Sequence, residues 1–293
     1  MKQTQKGTNM KTGLVLEGGA IRTIFSSGAT DAMLDAGILF DYIVGVSAGI
    51  AYGVSYASRQ VGRNLEILEK YVNDKRYMGV RHLINPKNRS YFNLEFIYST
   101  IPNGLVPFDY DTFAAYPGDI DAVVTNLRTG RADYKPVPRR DDKFEILQAT
   151  CAMPLLFQPF CLDGNLYLDG GIADPIPFRR AFSVGCDKVV VVLTRERSYR
   201  KNEGRVQALL KRRYRKYPEF QAAIETRSAR YNQTREELFA LEAAGKVFLL
   251  NPEDTQHFSR TERDLQKIRA LYKSGYDHAS QRMAQLKEFL TTP

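Results

Sequence analysis

Gly45-Val46-Ser47-Ala48-Gly49 places a serine between two glycines, directly after the apolar run Tyr42-Ile43-Val44 and before a helix-like stretch. A sharp strand-to-helix turn has no space for a β-carbon two residues to either side of a nucleophile. Glycine at both places lets strand and helix converge while the hydroxyl points outward. The same geometry sets Ser47 at a helix N-terminus, where free N–H groups and the helix dipole favour negative charge. The chemistry this permits is acyl transfer, which needs, besides the attacking oxygen, a base for its proton and donors for the oxyanion.

Donors are available in Gly18-Gly19-Ala20, a turn after the short apolar run Leu14-Val15-Leu16, where successive amides can converge on an anion. The chain has no GxGxxG there and no GKS or GKT anywhere, which argues against a nucleotide phosphate loop. Arg22 stands just before a helix N-terminus and opposes its dipole, a placement that a site needing positive potential explains. For the base there are two readings. Of the three histidines, His82, His257 and His278, only His257 follows a late strand, as the histidine of a Ser-His-Asp triad would. The other is Asp169, which ends a strand and is followed by Gly170-Gly171, so its carboxylate can approach another loop. Asp169 is preferred to Asp163, which sits inside a compact hairpin turn. A free carboxylate, with a pKa of about 3.9, is a weak base toward a serine, so partial desolvation has to strengthen it.

The elements that must position these residues follow from apolar patterning. Gly13–Glu17 and residues 41–46 read as strands, each leading through a turn into a helix, about Ile24–Ala36 and Ser47–Arg59. Two such units imply a parallel sheet. From about 62 to 118 the pattern weakens into aromatic residues and turns, and this segment is expected to be a lid or cap. Its aromatics, including Phe92, Phe96, Tyr98, Phe108 and Phe113, can line an acyl-chain channel or simply form core. Asp119–Thr125 returns to strand, Tyr134 begins a partner, and Phe144–Ala152 is a helix. Lys188–Leu193 is continuous and β-branched, as an interior parallel strand should be. Long helices are expected over Phe220–Ala244 and Thr261–Leu290, separated by a strand at Val247–Leu250.

Composition bounds the setting. The chain has 293 residues, 43% hydrophobic and 26% charged, with no apolar run near the roughly 20 residues a membrane helix needs. One domain is expected, with residues 1–12 as a loose tail, 13–250 as the catalytic body and 251–293 as a C-terminal helix packed on it. The polar start argues against secretion, and the odd set Cys151, Cys161 and Cys186, without CxxC, against a disulfide framework or zinc site. A cytoplasmic location and no cofactor are the expectation. Of the net charge of +9, the stretch Arg195 to Lys216 carries ten Lys/Arg against two Glu, a patch suited to the anionic surface of a membrane. No zinc-finger or RNA-binding pattern accompanies it, so nucleic acid is not an expected partner.

Taken together, Glu17-Gly18-Gly19-Ala20-Ile21-Arg22, Gly45-Val46-Ser47-Ala48-Gly49 and Asp169-Gly170-Gly171, in that order and at strand ends, resemble the patatin-like phospholipase family. Ala149-Thr150-Cys151-Ala152-Met153-Pro154 resembles the segment upstream of that family's aspartate, and the bacterial, cytoplasmic branch is the most similar. The resemblance covers about Gly13 to Leu250. It implies a three-layer α/β/α sandwich with a mainly parallel sheet and a Ser47–Asp169 dyad without histidine. It further implies an oxyanion hole from Gly18, Gly19 and Ala20 beside Arg22, and hydrolysis of lipid acyl esters; no metal is expected, because neither motif region offers a His/Cys cluster or a carboxylate set with ligand spacing. The alternative is a non-catalytic lipid-binding or regulatory protein of the same fold, docking on anionic membranes. Two departures from the family pattern stand out, Ala20 for its third glycine and Thr23 for the glycine after the basic residue. At Ala20, positive φ would cost a non-glycine residue about 1–2 kcal/mol.

Overall fold

A computed structural model describes residues 10–84, 89–202 and 207–292. Most of the expected N-terminal tail, residues 85–88 of the expected cap and residues 203–206 of the basic segment therefore lie outside the described residues. The strands are β1 (Thr12–Leu16), β2 (Tyr42–Val46), β3 (Asp119–Asn126), β4 (Ala132–Pro136), β5 (Phe160–Leu162), β6 (Asn165–Asp169), β7 (Lys188–Val192) and β8 (Val247–Leu250). They form one sheet in the order β5-β6-β3-β2-β1-β7-β8, with β4 also paired to β3. The pairs β1–β2, β1–β7, β2–β3 and β7–β8 are parallel, whereas β4 and β6 run antiparallel to β3, and β5 antiparallel to β6. The sheet is thus mixed, parallel through its centre.

Because side chains alternate across a strand, the continuous apolar runs supply both faces. Leu14, Leu16, Ile43, Val190 and Val192 point to one core, and Val15, Val44, Val189 and Val191 to another. The first core is covered by α1 (Ile24–Asp35), α2 (Ala48–Ala57) and the Leu265–Gln281 helix, the second by the Phe178–Ser183 and Arg227–Ala243 helices. Helices on both faces of the sheet give three layers. Val189 to Val192 are fully buried, and each such side chain contributes ~1.5–3 kcal/mol of transfer free energy. α1 and the Leu265–Gln281 helix touch backbone to backbone. A β-carbon on Gly28 would lie 2.0 Å from the Tyr272 carbonyl oxygen, and one on Gly275 2.0 Å from that of Phe25.

Two expected long helices are each divided. Phe220–Ala244 is Pro218–Glu225 and Arg227–Ala243, parted at Thr226, whose hydroxyl donates to the Ala222 carbonyl 2.9 Å away and so competes with the helical ladder. Thr261–Leu290 begins only at Leu265, because the Asp264 carboxylate caps the amides of Gln266 and Lys267. It breaks again at Arg282, before a second helix, Met283–Thr291. Within 62–118 lie a helix at Arg63–Tyr71, a wide-turn helix at Phe96–Leu105 and a short helix at Tyr110–Ala114. Phe96, Phe108, Phe113 and Tyr116 of this segment are buried in the first core. No helix among the described residues is long and apolar enough to cross a membrane.

Candidate active site

Ser47 follows the last residue of β2 and opens α2 with φ 53° and ψ −133°, a conformation that costs of order 1–3 kcal/mol outside glycine. Its surroundings hold it there. A β-carbon on Gly45 would stand 2.9 Å from the Ile50 nitrogen, and one on Gly49 2.5 Å from the Leu16 carbonyl oxygen, so larger residues would push strand and helix apart. The Ser47 amide donates to the Thr150 hydroxyl at 2.8 Å, and that hydroxyl donates in turn to the Val123 carbonyl. The sequence signalled Thr150 only as part of a segment, and its role as the strut of the elbow was missed.

Strand register explains how Asp169 reaches the serine. Val46 lies opposite Val123, and Asp169 opposite the next residue, Val124. The other flank of β3 is taken at both places by β4, through Tyr134 and Asp133. β2 and β6 therefore occupy one flank of β3 from opposite directions, and their C-terminal ends meet head to head. Gly170 makes the turn because a β-carbon there would lie 2.1 Å from the Val123 carbonyl oxygen. Asp169 is 5% exposed, accepts from the Gly171 amide at 2.8 Å, and lines the same cavity as Ser47. Burial raises its pKa above the ordinary carboxylate value, opposed by the charge of Arg227, by the neighbouring Ser47 hydroxyl and by the Gly171 amide. Desolvation thus makes it a stronger base, as the sequence required of it.

The Gly18 to Ala20 turn closes over the serine. A β-carbon on Gly18 would come within 3.0 Å of that of Ser47, and one on Gly19 within 2.8 Å of the Thr194 hydroxyl oxygen. Among the described residues the amides of Gly18, Gly19 and Ala20 have no acceptor, whereas the Arg22 amide donates to the Gly19 carbonyl at 3.2 Å. The donors free to meet an oxyanion are the first three. Ala20 does adopt positive φ, 52°. Glu17 pins the turn from beneath, its two oxygens taken by the Thr194 amide and the Tyr231 hydroxyl, each at 2.6 Å.

Two cavities meet at Ser47, sharing Ala20 and Met153. One is apolar, lined by Tyr52, Ile97, Tyr98, Phe108, Phe144 and Leu147. Of the aromatics expected to line a channel, Phe92, Tyr98 and Phe108 do so, while Phe96 and Phe113 are core away from it. Cys151 borders this cavity, its thiol pushed up to about 12 by burial, so it is no competing nucleophile. The second cavity is the more polar of the two and is lined by Glu17, Arg195, Lys201, Arg227 and Arg260 beside Asp169. Its cations come from separate elements that no local pattern links, which is why sequence reading missed Lys201, Arg227 and Arg260 as a group.

No histidine lines either cavity. His257 is exposed, His82 is bonded to the Lys75 carbonyl, and His278 lies against Phe25 with ring centroids 6.2 Å apart. The histidine-base alternative therefore finds no support. The basic segment is split. Arg195 bonds Thr255, Arg197 pairs with Glu242 and Lys201 faces the polar cavity, while Arg212, Arg213, Arg215 and Lys216 are exposed. Among the described residues no group of His, Cys, Asp and Glu is arranged to hold a metal ion.

Residues 14–182 match the model of the patatin-like phospholipase family, and residues 217–291 match a domain of unknown function, DUF6363. YjjU of Escherichia coli K12, described as uncharacterized, is 27% identical over 186 residues, which are 62% of this chain and 51% of YjjU. Lysophospholipase NTE1 of Coccidioides immitis is 27% identical over 188 residues, 61% of this chain but 11% of that protein. The chain thus corresponds to about half of YjjU and to a small part of NTE1. The structure of VipD from Legionella pneumophila aligns with a TM-score of 0.48 at 14% identity, covering 97% of this chain and 69% of that one. The family match spans more than half of the sequence and takes in the turn at Gly18, the elbow at Ser47 and Asp169. The chain belongs to the patatin-like phospholipase family.

Proposed function

We propose that the protein is a serine hydrolase of lipid acyl esters, of the lysophospholipase or phospholipase A type. The observation that carries this reading is the desolvated Asp169 carboxylate lining one cavity with Ser47, beside three amides that have no acceptor among the described residues. Ser47 Oγ attacks the ester carbonyl carbon as its proton passes to Asp169. The oxygen that gains charge is met by the amides of Gly18, Gly19 and Ala20, aimed in advance and partly shielded from water, where such donors are strongest. Collapse breaks the bond to the leaving alcohol, which takes the proton from Asp169. Water then attacks the acyl-serine, gives its proton to Asp169, and the acid departs as Ser47 regains its hydrogen. The apolar cavity beside Ser47 fits the acyl chain, and Arg22 adds positive potential behind the turn.

Matched assays with p-nitrophenyl esters and lysophospholipids test the reading. Wild type is expected to turn over at least one of them and Ser47→Ala none, whereas equal background rates for both proteins would refute it. We further propose that the protein works in the cytoplasm and meets anionic membrane through the exposed Arg212, Arg213, Arg215 and Lys216 beside Leu209, which is 55% exposed. The unpaired cysteines fit a reducing compartment. Flotation with anionic liposomes, compared between wild type and a variant with these four cations changed to Gln, checks the contact.

A further inference from the structure

The polar cavity assembles more positive charge than the protein itself uses. Arg22, Arg195, Lys201, Arg227 and Arg260 line it against two carboxylates, Glu17 and Asp169. Both carboxylates are engaged: Glu17 by Thr194 and Tyr231, Asp169 by the Gly171 amide. None of the five cations belongs to an ion pair among the described residues. Arg22 is 4% exposed and its buried Nε has no partner, as is true of the buried Nε of Arg195. The ammonium of Lys201 lies 4.8 Å from the centre of the Tyr231 ring, and its backbone is clamped to Asn232 by a pair of bonds at 2.8 and 3.0 Å, which aims the side chain inward. Arg227 is seated above the Asp169 turn by its bond to the Gly171 carbonyl at 2.8 Å.

Holding these groups together is costly. Burial, then the charges of Arg227 and Arg260, lower Lys201 to about 7, and burial, then Arg195 and Arg260, lower Arg22 to about 10. Desolvated, mutually repelling cations with open donors are a site awaiting an anion, and guanidinium forks with an ammonium suit phosphate oxygens. Arg195 and Lys201 lie beyond residue 182, where the patatin-like match ends, and Arg227 and Arg260 lie within the 217–291 match to DUF6363.

Resting on the hydrolase reading above, we propose that Lys201, Arg227 and Arg260 form a phosphate subsite for the leaving alcohol of the substrate. The acyl chain enters the apolar cavity on one side of Ser47, and the alcohol faces the cations on the other. A glycerol ester ending in a phosphate monoester is the class that fits. A choline headgroup would carry its own positive charge into a cluster already short of anions, and a plain monoglyceride would leave the cluster unanswered.

Three esters of one acyl chain decide it: 1-acyl-glycerol 3-phosphate, the corresponding phosphocholine and the monoacylglycerol. For wild type, kcat/KM is expected to fall in that order, by tenfold or more between first and last. Lys201→Met and Arg260→Gln should each reduce the first-to-last ratio at least fivefold, which a general loss of folding would not do because it lowers both rates together. A flat ratio in wild type, or one that the variants leave unchanged, overturns the proposal. If wild type cleaves none of the three, the hydrolase reading is what has failed. The subsite is then decided by titrating the same esters into Ser47→Ala, where tighter binding of the phosphate monoester supports it and equal binding refutes it. Binding of inorganic phosphate alone, with no preference among the esters, would assign the cluster to a free anion and also refute the proposal.

Discussion

Ser47 and Asp169 line one cavity, although they stand at the ends of strands that run in opposite directions. β3 makes the meeting unavoidable, since Val123 and Val124 are consecutive and each seats one of the two strand ends on the same flank. A shift of β6 by one residue would turn the carboxylate to the other face of the sheet.

Asp169 sets the acid limb of the activity. Its raised pKa means that the carboxylate takes up a proton at a higher pH than an ordinary aspartate, and the protonated form cannot accept from Ser47. kcat/KM should therefore rise with pH through that pKa, above the usual carboxylate range. Asp169→Asn should cost ~10²–10⁴-fold in kcat. Unchanged activity in that variant, measured on a p-nitrophenyl ester, would remove Asp169 from the mechanism.

Thr150 is expected to matter without touching substrate. Thr150→Val strands the Ser47 amide and the Val123 carbonyl, and a buried group left unpaired costs ~1–3 kcal/mol. Denaturant unfolding should show that loss, with kcat falling more than KM changes. Thr150→Ser should restore both.

Gly49→Ala places a methyl 2.5 Å from the Leu16 carbonyl oxygen, so the end of β1 or the start of α2 has to move. The overpacking is expected to cost ~1–3 kcal/mol and to lower Tm by several degrees, with activity reduced further because the elbow shifts. A Tm equal to wild type would contradict the close approach.

Asp31 supplies a pH test of stability independent of catalysis. It is 3% exposed and accepts from the Gly62 amide at 2.8 Å and the Tyr272 hydroxyl at 2.7 Å, and burial raises its pKa to about 6. Between its unfolded value near 3.8 and about 6, the folded state holds the extra proton, so stability contributed by neutral Asp31 is lost as pH rises through that window. The difference amounts to ~3 kcal/mol. Unfolding of wild type and Asp31→Asn at several pH values should show wild type gaining on the variant as pH falls from 7 to 4, and parallel curves would refute it.

Backbone amides are the proposed source of oxyanion stabilisation, so EDTA should leave ester hydrolysis intact. Strong inhibition that calcium reverses would count against that assignment.

What was legible in the sequence was local. The glycines at 45 and 49, the strand ends at Ser47 and Asp169, and the valine run of β7 each declare their geometry within a few residues, and all three appear where expected. Ala20 was legible too, as a residue under strain. Distant pairings were not. Nothing near Thr226 announces that the helix is divided there, or that Arg227, the next residue, reaches the Gly171 carbonyl. Nothing near Lys201 announces Arg260 as its neighbour, since the two come from different loops. The cap at Asp264 starts the last long helix four residues later than the apolar pattern does.

The central claim is that Ser47 is the nucleophile and Asp169 its base, and labelling by a fluorophosphonate with mass-spectrometric mapping tests it most directly. The probe should attach to Ser47, slowly in Asp169→Asn and not at all in Ser47→Ala. A folded protein that takes no label, or takes it on another residue, would contradict the account.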